Sequence, residues 1–177
     1  MKKWLSLLAL VLLYSTAHAD DDAAAILTAS AGTWNGTLYY LDYQSGQRFG
    51  IPIQIDAEVT PDRATLIRKL TFTDPGAQVH AVSLSTVDRD SGELVEAFFR
   101  EGKGEWLRST ITEATFESSE NWRIVYEQEG RDNDQPATIR HTIERDGNSM
   151  TTQKEVRFME EGSAFLLRNS TEVTLEQ

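Results

Sequence analysis

Phe49, Ile51, Ile53, Ile55, Ala57 and Val59 alternate with Arg48, Gly50, Pro52, Gln54, Asp56 and Glu58. Side chains along a β-strand point to opposite faces in turn, so this run predicts a strand with one buried and one wet face. Period-two patterning continues to the C-terminus. It is cut by turn signals at Ser45-Gly46, Pro61-Asp62, Asp74-Pro75-Gly76, Asp90-Ser91-Gly92, Gly102-Lys103-Gly104, Ser118 to Asn121, Gly130 to Pro136, Asp146-Gly147-Asn148 and Glu161-Gly162. Nine turns imply about ten strands. The connections are too short for parallel crossovers, so consecutive strands should pair as antiparallel hairpins. An open sheet of that size leaves adhesive edges, and the meander must close or split into a sandwich. Closure is the simpler outcome, and ten strands enclose enough space for a cavity unless large side chains fill it. The expected fold is all-β: an antiparallel up-and-down barrel of about ten strands, with a ten-stranded sandwich as the alternative.

The chain begins differently, with MKKWLSLLALVLLYSTAHA. Lys2 and Lys3 precede an apolar run from Trp4 to Tyr14, and Ala17-His18-Ala19 has the small-x-small form of a cleavage site. That run is about half the ~20 residues a membrane-spanning helix needs. We therefore expect residues 1–19 to be a signal peptide cleaved after Ala19, residues 20–177 to form a single domain, and the protein to be periplasmic or secreted without a transmembrane segment. Asp20 to Asp22 offer N-caps and Ala23 to Ala31 are good helix formers, which predicts one short helix before Gly32. From residue 20 onward, 15 Lys and Arg stand against 28 Asp and Glu, a formal charge of −13. Such a surface repels phosphate backbones and anionic lipid, so nucleic acid is excluded as an expected partner. The chain has no cysteine, so its stability must come from its core.

In SAGTWNGTLYY, Gly32-x-Trp34 falls on the first strand directly after the predicted helix. This opening, in a small exported all-β chain, resembles the start of the calycin (lipocalin-like) barrels, and secreted bacterial barrels of unknown role in particular. The resemblance is at superfamily level and spans residues 20–177. It implies that Trp34 seals one end of the barrel, lying beneath an arginine from a late strand, for which Arg168 in FLLRNSTEV is the matching candidate. It departs from lipocalins in having ten strands and no Thr-Asp-x-x-x-Tyr element. It departs from fatty-acid-binding relatives in having no helical hairpin after the first strand.

If the apolar members of each strand face inward, Arg68 shares the lumen with Leu66, Leu70 and Phe72. Glu96 and Arg100 then lie with Leu94 and Phe98, His80 with Val82 and Leu84, and His141 with Ile139 and Ile143. Two arginines and two imidazoles suit an anionic head group, and Trp34, Tyr40, Phe98 and Tyr126 suit an apolar body. The expected ligand-binding residues are therefore Trp34, Tyr40, Arg68, His80, Phe98, Arg100, Tyr126 and His141. Each charged member has an alternative role as part of a salt-bridged barrel end or as simple surface. Glu96 and Glu113 are conceivable as an acid/base pair, but nothing in the sequence positions them. Two histidines after the leader offer too few metal ligands, Cys-x-x-Cys-His is absent, and DRDSGE reads as a hairpin turn, so no metal and no cofactor are expected. No nucleophile elbow or phosphate-cradling loop is present, and no catalytic residues are assigned. The expectation is an exported binding protein holding a small hydrophobic or anionic amphipathic molecule in its lumen. The alternatives are an envelope protein-interaction module with a filled barrel and a lyase- or isomerase-type enzyme on the same barrel.

Overall fold

Ten strands follow one short helix in the computed structural model, which describes residues 20–41, 46–160 and 162–176. The helix α1 covers residues 20–29. The strands are β1 (Gly32–Leu41), β2 (Arg48–Val59), β3 (Thr65–Asp74), β4 (Ala77–Val87), β5 (Leu94–Arg100), β6 (Lys103–Ser118), β7 (Asn121–Asp132), β8 (Gln135–Asp146), β9 (Ser149–Phe158) and β10 (Leu166–Leu175). Each pairs antiparallel with its neighbour in sequence, and β10 returns to pair with β1, so the barrel is closed. The expected leader, residues 1–19, lies outside the described residues, as does Ser45 of the first turn.

Two features of the sequence make closure possible. Turn chemistry fixes the hairpins: Asp74 pairs directly with Ala77, leaving Pro75-Gly76 as a two-residue loop in which Gly76 has φ of 94°. The seam between β1 and β10 needs a residue without a side chain. A Cβ at Gly36 would lie 1.9 Å from the Glu172 carbonyl oxygen and 2.7 Å from the Val173 Cα, so only glycine lets the two backbones meet there.

The inner face follows the alternation. On β2, Ile53 and Ile55 are buried while the alternating Gln54 and Asp56 are exposed. Trp34 pairs across to Ile55 on one side and Leu175 on the other, and its side chain has no exposed surface. With Leu38, Ile53, Ile55 and Val173 it forms one core cluster. The second cluster is where α1 enters the barrel end: Ala23 and Ile26, three residues apart on one helix face, pack against Leu94, Trp122, Ile124 and Tyr126. The helix therefore stoppers the end at which β1 begins, and the end at which β1 finishes is left as a mouth.

Candidate functional site

The buried charged residues of the stoppered end are occupied with their neighbours, although the buried Trp122 indole N–H there has no hydrogen-bond partner. Arg68 on β3 donates through Nε to Ser83 Oγ (2.8 Å), and through Nη2 to Ser85 Oγ (2.6 Å) and Glu96 Oε1 (2.8 Å). Ser85 Oγ donates to the same carboxylate oxygen at 2.9 Å. These strands are neighbours in register, Arg68 opposite Ser83 and Ser85 opposite Glu96, so a two-residue step carries each partner to the next. Tyr126 stands beside Glu96, and burial, reinforced by that carboxylate, pushes its phenol far up, so it stays protonated. Arg68 is thus a member of a buried polar floor, the salt-bridged alternative of the sequence reading.

Above this floor the lumen holds a cavity of about 820 Å³. Its walls differ. Leu38, Tyr40, Ile53, Ile55, Leu70, Phe72 and Phe98 supply an apolar side from β1, β2, β3 and β5. His141, Thr152, Lys154, Asn169 and Thr171 supply a polar side from β8, β9 and β10, where Lys154 pairs with both His141 and Asn169. Lys154 makes no hydrogen bond or ion pair among the described residues. Burial lowers the pKa of its ammonium, an effect that Glu105 across the lumen partly opposes. His141 stacks at 5.1 Å on the Tyr126 ring, and its Nδ1 is buried without a partner. Burial pulls its pKa down to about 4 despite Glu96, with Lys154 and Arg68 adding to the drop, so the imidazole is neutral at pH 7.

Most of the sequence-predicted residues come together here. Tyr40, Arg68, Phe98 and His141 line the cavity, Trp34 and Tyr126 are buried at its closed end, and Arg100 lies with its guanidinium 6.0 Å from the Phe72 ring. His80 does not join them. On β4 the buried set is Ala81, Ser83 and Ser85, which places His80 on the outer face, exposed, with its Nδ1 3.2 Å from the Thr71 hydroxyl. Its assignment beside Val82 and Leu84 took the more apolar parity of β4 as the inner one, and the small serines needed to receive Arg68 reverse it. Glu113 also points outward, ion-paired with Arg123, and forms no pair with Glu96.

The arginine expected over Trp34 is a different one. Arg168 pairs with Asp132 and lies 5.8 Å from the Phe158 ring, towards the mouth. Arg145 on β8 takes the role, with its guanidinium 5.0 Å from the Trp34 ring. It donates to the Ala29 carbonyl at the end of α1 (2.9 Å) and to the Gly147 carbonyl (2.8 Å). The Trp34 indole N–H donates to the Ser30 carbonyl at 3.1 Å, so helix, tryptophan and the β8–β9 turn are tied at one point. Sequence reasoning also missed Lys154, although Met150, Thr152, Lys154, Val156 and Phe158 share one parity and the apolar members of that set point inward.

No family model matches the chain, and no curated protein matches it. Among solved structures it is similar to the crystal structure of Rv2717c from M. tuberculosis, with a TM-score of 0.59 and 10% identity over 85% of this chain and 95% of that one. That likeness is one of fold. It shows the closed barrel to be an architecture found in an experimental structure, at a level of sequence identity too low to carry residues across.

Proposed function

We propose that the protein is an exported binding protein that takes an anionic amphipathic small molecule into its lumen. The observation that carries the reading is Lys154: a cation with no direct ion pair among the described residues, opposed only across the lumen by Glu105, partly stripped of water, on the wall of a cavity of about 820 Å³. A desolvated charge is costly unless paired, and an anionic head group would supply the partner. The hydroxyls of Thr152 and Thr171 and the amide of Asn169 stand beside it as further donors, and the apolar wall from Leu38 to Phe98 would cover the ligand body. Arg68 and Glu96 neutralise each other in this reading, so Arg68 shapes the floor and Lys154 orients the ligand. Export rests on the leader-like residues 1–19. Native mass spectrometry on protein purified gently from the periplasm of an expressing bacterium tests the proposal. A reproducible added mass, released on denaturation and absent from Lys154→Met, is the expected result. Bare protein, still bare after incubation with long-chain carboxylates, would overturn it.

A further inference from the structure

We infer that the mouth of the barrel docks on the surface of a phospholipid bilayer, through aromatic and aliphatic side chains carried by three of its five hairpins. Large apolar residues left in water are concentrated there. Phe49, on the β1–β2 hairpin, is 53% exposed; Phe99 and Trp106, on the β5–β6 hairpin, are 41% and 73%; Met159 and Leu166, on the β9–β10 hairpin, are 57% and 48%. In the ring of ten strands the β1–β2 and β9–β10 hairpins are neighbours, because β10 pairs with β1, and the β5–β6 hairpin is separated from them by one hairpin on each side, so their side chains give supports on two sides of the opening. Phe99 and Trp106 pack edge to face at 6.5 Å, which holds that support as one unit. Tryptophan is suited to the boundary between headgroups and acyl chains, where one edge of its ring stays wet. The outward residues of β2, Gln54, Asp56 and Glu58, are exposed and polar, so the wall below that hairpin is not a lipid-facing surface, whereas exposed Val82 on the outer face of β4, opposite Phe99, extends the β5–β6 support a little way down the wall.

Charge favours the same end. The described residues of the mouth, 46–50, 73–78, 99–106, 130–136 and 157–168, carry six Lys or Arg against six Asp or Glu. The stoppered end, residues 20–30, 58–64, 87–94, 116–122, 144–149 and 176, carries three against thirteen, an excess of ten negative charges. An anionic surface therefore repels the helix end and leaves the mouth indifferent. Strands of about ten residues hold the two ends apart by more than the ~8 Å over which physiological salt screens charge. Among the described residues, the net acidity that argues against membrane adhesion for the whole molecule is thus absent from the face that would touch lipid. Contact with a bilayer does not need an occupied lumen, so this inference and the ligand reading can fail separately.

Trp34 and Trp122 are buried and Trp106 is exposed, so the emission of Trp106 reports docking directly. Protein purified from the periplasm is mixed with phosphatidylcholine vesicles and followed by vesicle flotation and tryptophan emission. We expect co-flotation with a blue shift, both persisting in ~0.5 M salt. Partitioning should fall about tenfold in Phe49→Ser and about tenfold again when Trp106→Ser is added, each with an unchanged far-ultraviolet spectrum. Three results would overturn the inference: no flotation and no shift; binding that requires phosphatidylglycerol and disappears in salt; or a concentration-dependent blue shift without lipid, which would show the mouth to be covered by a second copy.

Discussion

The two ends of this barrel are built from the same strands and differ in whether their inward-facing cations are directly paired. At the helix end Arg145 spends its donors on two carbonyls and lies over Trp34, Arg68 binds two serines and Glu96, and α1 fills the opening. Half a barrel length away, Lys154 makes no direct ion pair among the described residues, with Glu105 acting on it across the lumen, and a cavity opens; buried polar atoms without a partner occur in both parts, Trp122 Nε1 at the helix end and His141 Nδ1 here. A barrel that needed stability alone would be filled along its length by apolar side chains, as at the stoppered end. Substitutions at the two ends should therefore have opposite consequences, large losses of stability at one and changes in binding with little or no loss at the other.

The largest effect is expected from Trp34→Ala. Removing a fully buried indole should cost about 3–5 kcal/mol in urea unfolding, because the cluster around Val173 and Ile55 cannot collapse into the gap across a closed sheet. Arg145→Met should cost about 2–3 kcal/mol through the freed Ala29 and Gly147 carbonyls and should alter the emission of Trp34. Arg168→Met, at the mouth, should leave that emission unchanged. If the two variants behave alike, the Arg145 knot is not what holds the helix end.

His141 sharpens the comparison through pH. Its folded pKa of about 4 lies below the ordinary 6.5, so the unfolded chain binds the extra proton in that interval. Stability conferred by keeping the imidazole neutral is complete above pH 6.5 and is lost as pH falls towards 4, by at most roughly 3 kcal/mol. Denaturant midpoints measured at pH 7 and pH 4.5 should converge when His141→Gln is compared with the parent. The smallest stability effect belongs to Lys154→Met. Since burial disfavours the ammonium, its removal should raise the stability to urea unfolding slightly, by under about 1 kcal/mol, while weakening binding of an anionic ligand. A residue that lowers stability and is retained for binding is expected at the mouth end and not at the other.

The turn signals and the alternation in residues 48–59 were enough to reach a ten-stranded barrel, because hairpin geometry is local and closure follows from edge avoidance. The inward positions of Tyr126 and His141 were legible for the same reason, as each sits in a strand whose apolar parity is clear, whereas Tyr40 and Phe98 lie in β1 and β5, which carry apolar side chains on both parities. His80 was not, because both parities of β4 carry small or apolar residues and the choice is made by Arg68 on the neighbouring strand. Arg145 and Lys154 depend on register across β8, β9 and β10, where one bulge between Leu167 and Asn169 resets the pairing. A bulge of that kind leaves no mark in the alternation.

The central claim, that Lys154 recognises the negative end of an amphiphile in the lumen, is tested most directly by calorimetric titration of the protein with a long-chain carboxylate and with the alcohol of equal length. The account predicts that the parent prefers the carboxylate and that Lys154→Met binds both to the same weaker degree. Equal binding of carboxylate and alcohol by the parent, or a preference that survives in Lys154→Met, would contradict it.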